Sequence, residues 1–233
     1  AAIFALNSMG YVCDAVVLDA AHFVPQSRPR LFVIASRGAL RSLRSLEPES
    51  PLRPARLERF VAAHADLRWG RVDLPPPPAR RNVLADIVEN VPADSPLWWN
   101  ASRVAHLVST MRPLDRERAE RLRRATEPAF GAVYRRTRCG SAVAELRVDG
   151  LAGCLRTARG GSSKQVLVVG QGGKLRARNM TPREYARLQG VPDTFRLDVP
   201  VNQALFGFGD AVCVPAVSWL IAQALPAVRR RTA

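Results

Sequence analysis

The stretch FVPQSRPRLFVIA, residues 23–35, sets Gln26, Arg28 and Arg30 at every second position and follows them at once with the apolar run Leu31–Ala35. In extended backbone, residues i, i+2 and i+4 share a face, so the three long polar side chains should point one way and Ser27 and Pro29 the other. The apolar run reads as a largely buried strand over residues 31–36, and VCDAVVL (12–18) reads as a strand before it. A guanidinium is permanently charged and offers a rigid fork of donors suited to a phosphate or a base carbonyl. Two of them beside a buried strand form either a pre-aimed anion or base site, or surface arginines that happen to precede a strand. The stretch alone leaves both open.

Outward from it, the chain opens on AAIFALNSMGY, the end of an amphipathic helix closed by Gly10, and a chain that opens inside an element is expected to continue upstream. Residues 38–81 are poor in strand signal and rich in Arg and Pro, and the prolines 75–78 predict a stiff, extended connector. NVLADIVEN (82–90) predicts a short helix, and residues 101–125 predict helix broken by Pro113. From 130 to 170, YRRTR, AVAELRV, GCLRT and KQVLVVG read as short strands of an irregular β region. TPREYARLQG (181–190) predicts a compact helix with Thr181 as N-cap, Pro182 first, Glu184 as capping-box acid and Gly190 as stop. AVCVPAVSWLIAQAL (211–225) predicts a final, mostly buried helix; it contains Pro215 and is too short to span a bilayer.

Formal net charge is +15, with 35 basic against 20 acidic residues, which suggests a polyanionic partner, most simply nucleic acid. Only Lys164 and Lys174 are lysines, so GC-rich coding could supply part of that bias. Four cysteines without a C-x-x-C pair and three scattered histidines give no zinc pattern, and suit a reducing cytoplasm better than a disulfide scaffold. No signal peptide is read.

Three further stretches invite chemistry. In GCLRTARGGSSKQVLVVG (153–170), Arg156, Arg159 and Lys164 interleave with Gly160, Gly161, Ser162 and Ser163, as a backbone closely approaching a nucleic-acid strand requires; a glycine-turn hairpin with basic ends is the plain alternative. VLVVGQGGK fits neither nucleotide-loop pattern and is rejected as one. RARNMTPREYARLQGVPD (176–193) is a capped helix, but capping alone does not ask for Arg178, Arg183, Arg187 and Gln189. LFGFGDAVCVPAV (205–217) sets Gly207 and Gly209 before a helix, where backbone amides can meet a ligand or where glycine merely permits a turn.

Together these stretches resemble the C-terminal half of a bacterial DNA cytosine-5 methyltransferase. GYVCDAVVLDAAHFVPQSRPRLFVIA resembles the family's Q-x-R-x-R block, CLRTARGGSSKQ its recognition-region core, RNMTPREYARLQGVPDTF the block that follows, and FGDAVCVPAVSWLIA the closing block. The four stand in the family's order; the resemblance covers residues 3–35 and 153–226, with 40–150 family-like only in position. It implies an α/β fold, the C-terminal part of a class I S-adenosylmethionine-dependent methyltransferase with an incomplete sheet and an inserted irregular α+β target-recognition region. The expected division is 1–40 for the last catalytic strands, 41–175 for linker and recognition region, and 176–233 for helices returning to the catalytic domain.

The resemblance further implies S-adenosyl-L-methionine as cofactor and double-stranded DNA as partner, with the target cytosine flipped from the duplex. Arg30 would contact the base, through its O2, with Arg28 as neighbour; both are the implied catalytic residues. Gln26 would order the loop. Asp210, Ala211 and Val212 would border the cofactor, with Asp210 standing where the family usually has Asn. The DNA contacts implied are Gln26, Arg156, Thr157, Arg159, Gly160, Gly161, Ser162, Lys164 and Arg183, the last also bracing the recognition region with Glu184. No metal and no membrane are implied. Localisation would be bacterial cytoplasm, nucleoid-associated, in restriction–modification or phage defence, with a cognate restriction endonuclease as a further partner.

The family's nucleophile sits in a Pro-Cys pair, whereas Val, Arg, Gly and Val precede Cys13, Cys139, Cys154 and Cys213. Glu89-Asn90-Val91 spells the family's catalytic E-N-V but lies after the Q-x-R-x-R block rather than before it, so Glu89 reads as the acid of a short helix. The expectation is a chain inactive alone that needs the N-terminal half of the methyltransferase, from the same gene or a separate subunit. A non-catalytic sequence-specific DNA-binding module, or a degenerate fragment, is the alternative.

Overall fold

The computed structural model describes residues 1–38, 40–42, 49–138, 140–157 and 164–229. The chain divides into two compact units, one of residues 1–19, 29–79 and 216–233, the other of 20–28 and 80–215. The proline run 75–78 falls just before the end of the first unit's middle segment. This division differs from the expected one: residues 41–79 belong with the end strands, and 176–215 with the β region.

In the first unit, helix α1 (Ala2–Ser8) leads into strand β1 (Val12–Asp19), which pairs antiparallel with β2 (Pro29–Ser36) from Val12↔Ser36 to Asp19↔Pro29. The short strands β3 (Arg41–Ser42) and β4 (Gly70–Arg71) pair with each other, and helix α2 (Ala55–Ala63), which no sequence pattern announced, lies between them in the chain. A buried ionic cluster ties this Arg-rich stretch to β1. Asp14, fully buried, accepts from Arg53 Nη2 at 2.5 Å and Arg71 Nη1 at 3.1 Å, and Arg71 Nη2 reaches Glu58 of α2 at 2.7 Å. Backbone N–H groups of Ala15 and Val72 complete the carboxylate's shell, as a buried charge requires.

β2 is not the largely buried strand its composition suggests. Leu31 is 60% and Val33 41% exposed. They line an apolar cavity of about 540 Å³ with Ile3, Val17, Leu57 and Phe60. A run of five apolar residues reports what a strand can bury, not what covers it.

In the second unit, α3 (Leu84–Ile87), α4 (Ala101–Ser109) and α5 (Pro113–Arg124) precede a four-stranded antiparallel sheet of order β6-β5-β7-β8. Its strands are β5 (Ala129–Arg138), β6 (Ser141–Arg147), β7 (Val166–Gln171) and β8 (Lys174–Asn179). Pro113 starts α5 at its first turn, where a missing N–H costs nothing, and Asn100 caps α4 by accepting from Arg103 N at 2.9 Å. Both faces of the sheet are buried. Val133, Leu146, Val166 and Val168 pack with Leu107 and Leu122 of α4 and α5. On the opposite face Ala132 and Leu167 pack with Ile87, Tyr185, Leu188 and Leu205. That two-sided burial explains the unalternating VLVV of β7. VLVVGQGGK is a hairpin, with Gly172 and Gly173 between paired Gln171 and Lys174. GCLRT is not a strand; residues 153–157 run as irregular chain.

Helix α6 (Pro182–Leu188) carries the expected capping box: Thr181 Oγ1 accepts from Glu184 N at 3.2 Å, and Glu184 accepts from Thr181 N at 2.8 Å. Gly190 ends it at φ 74, with Val191 N bonded to Ala186 O and Gly190 N to Arg187 O, the paired bonds of a Schellman stop. Helix α7 (Val201–Asp210) contains Gly207 and Gly209, which were expected in a turn before a helix. Helix α8 (Val214–Arg229) buries a narrow stripe, Ala216, Leu220 and Ala224, and leaves Ile221 and Leu225 about half exposed, so it is not mostly buried. Val201–Pro226 is long and apolar enough to cross a membrane by length and composition, although residues 211–213 break it into two helices.

Candidate functional site

The loop before β2 is built into the second unit. Ser27 N donates to Ala152 O at 3.0 Å and Ala152 N to Pro25 O at 2.8 Å, so residues 25–27 run alongside the irregular segment 152–155. Pro25 has no N–H to leave unsatisfied in that contact, and the prolines hold the loop extended. Gln26, fully buried, spans three stretches of chain. Its carbonyl accepts from Leu155 N at 3.0 Å, and its amide donates to Leu188 O at 2.6 Å and reaches Gln189 Oε1 at 3.5 Å.

Arg28, 5% exposed, does what a cation at a helix C-terminus does best. Its Nη2 donates to Gly209 O at 3.1 Å and Ala211 O at 2.7 Å, and its Nη1 donates to Leu155 O at 2.6 Å. The last carbonyls of α7 have no helical partner, and they carry the negative end of the helix dipole. Gln189 completes the cap, its Nε2 donating to Phe208 O at 2.6 Å and Ala211 O at 3.2 Å. Four sequence stretches thus meet at one knot: the Gln26–Arg28 loop, Leu155, Gln189 and the end of α7.

Gly209 makes the knot possible. A Cβ there would lie 2.4 Å from both the carbonyl carbon and the oxygen of Arg156, and 2.6 Å from Thr157 N, all backbone atoms of the segment crossing the helix. Its value is close approach rather than the amide-lined turn anticipated.

Arg28 therefore turns inward, with its guanidinium engaged by three backbone carbonyls. Arg30 behaves differently. It is exposed at the start of β2, with Nη1 donating to its neighbour Pro29 O at 2.9 Å. Gln26 and Arg28 are buried and Arg30 is not, so the expected common face does not extend to all three. Gln26, expected at DNA, is likewise consumed by buried contacts.

Asp210, exposed at the end of α7, accepts a close hydrogen bond from Thr157 Oγ1. Ala211 is half-buried with its carbonyl engaged, and Val212 is 55% exposed. Lys164 Nζ donates to Asn202 Oδ1 at 2.7 Å. Arg183 is turned onto the loop after α6, donating to Phe195 O at 2.8 Å. Arg159, Gly160, Gly161 and Ser162 lie outside the described residues.

Glu89 is a buttress. Thr181 Oγ1 donates to its carboxylate, and Glu89 N donates to Glu184 Oε1 at 3.0 Å. Glu184 is fully buried and also holds Arg178 Nη1 at 2.7 Å. Arg187, the remaining arginine of the block, grips Asp193 at 2.6 and 2.8 Å, and this carboxylate sits below its usual range because of that hydrogen bond. Burial pushes the Cys13 thiol upward, away from thiolate.

One cleft of about 300 Å³ in the second unit was not foreseen. It is lined by Ser27, Tyr134, Arg136, Glu145, Arg147 and Arg156, among others. No motif announces it, since its side chains come from two paired strands and two distant loops; only the alternation Tyr134-x-Arg136 and Glu145-x-Arg147 could have hinted at a shared face.

A profile described as C-5 cytosine-specific DNA methylase matches residues 2–225. The chain is 44% identical over 68 residues to the Type II methyltransferase M.NlaX of Neisseria lactamica, covering 28% of this chain and 21% of that protein. It is 52% identical over 40 residues to the Type II methyltransferase M.HpaII of Haemophilus parainfluenzae, covering 17% of this chain and 11% of that one. A crystal structure of the S. pombe Dnmt2 methyltransferase superposes with a TM-score of 0.54 at 15% identity, over 97% of this chain and 61% of that chain, a likeness of α/β methyltransferase fold.

Proposed function

Because the chain belongs to the C-5 cytosine-specific DNA methylase family, we propose that it is the C-terminal portion of a DNA cytosine-5 methyltransferase. It supplies the recognition region and one wall of the pocket for a flipped cytosine. The attacking thiolate, the acid at the base and most of the cofactor cradle come from an N-terminal half, on the same polypeptide or a separate subunit. The observation that carries this reading is the knot at Arg28. Four stretches that resemble family blocks, far apart in sequence, are joined there by side-chain bonds to Leu155, Gly209 and Ala211.

In this reading Arg28 and Gln26 hold the loop, and Arg30, exposed beyond it, meets the O2 of the base; a charge-assisted bond there favours the polarised ring over the ground state. No cysteine of the chain follows a proline, and Cys13 is buried with its thiol held protonated. The family's methyl donor is S-adenosylmethionine, which supplies the methyl group. Residues 210–212 fit it as a rim only. Val212 offers open apolar surface, while the Asp210 carboxylate and Ala211 carbonyl are held by Thr157, Arg28 and Gln189. Two relatives named as Type II methyltransferases support a setting of restriction–modification. Duplex DNA, a cognate endonuclease and a nucleoid-associated cytoplasmic location follow from that setting.

The test mixes the chain with an N-terminal methyltransferase half and follows labelled methyl transfer into duplex DNA. The chain alone should transfer nothing, and the mixture should be active. Arg30→Ala should lower turnover by about a hundredfold or more with DNA retention preserved, the scale of losing one group that stabilises transition-state charge. Label incorporation by the chain alone overturns the division of labour, and wild-type turnover in Arg30→Ala overturns its role.

A further inference from the structure

The Tyr134 cleft has the chemistry of a base-pair reader. Tyr134 of β5 stands directly across from Glu145 of β6, and Arg136, two residues along, shares their face. Arg136 Nη2 lies 3.2 Å from Glu145 Oε2, with the arginine side chain 44% exposed and the glutamate 19%. The Arg136 guanidinium also stacks on the Tyr134 ring at 4.9 Å, and Arg156 stacks on the same ring at 5.2 Å. A guanidinium held by an ion pair and a ring keeps one orientation while its outer donors face the cleft. Arg147, the other strand arginine here, is committed to Asp149 at 2.6 Å. The cleft thus presents two ring-stacked guanidiniums, of which Arg136 is also fixed by the Glu145 carboxylate, a more specific arrangement than a basic surface.

We infer that Arg136 and Glu145 read one G·C base pair in the major groove, as a specificity pair for the DNA site; this rests on the methyltransferase reading above. Guanine offers N7 and O6 as acceptors on that edge, and its cytosine offers the N4 amino group as donor. The donor fork of Arg136 beside the acceptor Glu145 is the complement of that row. An A·T pair would set the adenine amino group against the guanidinium and the thymine O4 acceptor against the carboxylate, so donor would face donor and acceptor would face acceptor. The scaffold suits the task, because β6 is the edge strand of the sheet and the B-form major groove admits a two-stranded ribbon. The positive charge of Arg136 and Arg156 would hold the phosphates nearby, but the ion-paired carboxylate supplies selectivity by repelling every edge that lacks a donor at that point.

The test selects from a pool of duplexes with a randomised core, retained by the 233-residue chain at fixed salt and then sequenced. Wild type should enrich a motif containing at least one G·C pair. Arg136→Ala and Glu145→Gln should each lose preference at the same single pair by about tenfold or more, the scale of one bidentate base contact, and leave the other positions intact. Both residues are partly exposed, and thermal melting identifies any variant that has lost the fold. Arg124→Ala, which removes an exposed charge on α5, should leave the motif unchanged. An unaltered motif in both variants, or wild-type retention with no preferred pair, overturns the reader while leaving DNA binding standing. A wild-type chain that retains no duplex overturns the assignment of a self-sufficient DNA-recognition region to this chain, and the base-pair reader with it, while its family membership stands.

Discussion

Gly209→Ala and Gly207→Ala should change stability in opposite directions, although both glycines lie in one helix two residues apart. At Gly207 an added Cβ meets nothing within 4 Å. The substitution then removes only the conformational freedom of glycine, a gain of about 0.5–1 kcal/mol in a helix interior. At Gly209 the same methyl would sit 2.4 Å from the carbonyl carbon and oxygen of Arg156. Ordinary contact begins near 3.4 Å, so helix and segment must separate by roughly 1 Å, an overpacking cost of about 1–3 kcal/mol. The segment cannot yield freely, because Leu155 N is bonded to Gln26 and Leu155 O to Arg28. After the propensity gain is subtracted, a net loss of about 1–2 kcal/mol remains. With a urea slope of about 2 kcal/mol/M, the midpoint of the transition involving the second unit should fall by roughly 0.5–1 M for Gly209→Ala and rise by a few tenths for Gly207→Ala. Trp98 and Trp99 report that unit by fluorescence, alongside Trp69 and Trp219 of the first. A Gly209→Ala chain as stable as wild type would refute the close crossing, and with it the geometry of the Arg28 knot.

Glu184→Gln should be among the most damaging single changes. It leaves the fully buried Arg178 without its counter-charge and weakens the acceptors for Thr181 N and Glu89 N. Breaking one side of such a pair costs about 3–5 kcal/mol, and a loss under about 1 kcal/mol by urea titration would contradict the buried pair. Tyr185 should govern the alkaline limb of stability. Burial pushes its phenol up to about 12 against an unfolded value of about 10. Below pH 10 both states hold the proton; as pH rises through 12 the unfolded chain has released it first, so stability declines across that window by roughly 2–3 kcal/mol. The chain has two lysines and two further tyrosines, so the contribution of Tyr185 is read as the difference from Tyr185→Phe. Tyr185→Phe should flatten that decline while losing about 1–3 kcal/mol at neutral pH, because Gln165 N forfeits its acceptor. An unchanged alkaline slope would show that another group governs it.

Much of the local structure is legible in the residues alone. Thr181, Pro182, Glu184 and Gly190 start and stop α6 through bonds that span no more than five residues. Pro113 separates α4 from α5 for the same local reason. Helix α2 escaped notice because its partners are not local: Glu58 is held by Arg71, which is held by Asp14. The exposure of β2 escaped as well, since composition states only that a strand can be buried.

At the site, the sequence by itself determined which residue types are present and that Gln26, Arg28 and Arg30 alternate. Tertiary structure alone decided that Arg28 faces inward and Arg30 outward. The physical reason is distance along the chain. The carbonyls that capture Arg28 belong to residues 127, 181 and 183 positions away. A guanidinium beside a strand goes wherever unpaired acceptors stand, and here they stand at the end of a helix that folds back across the loop.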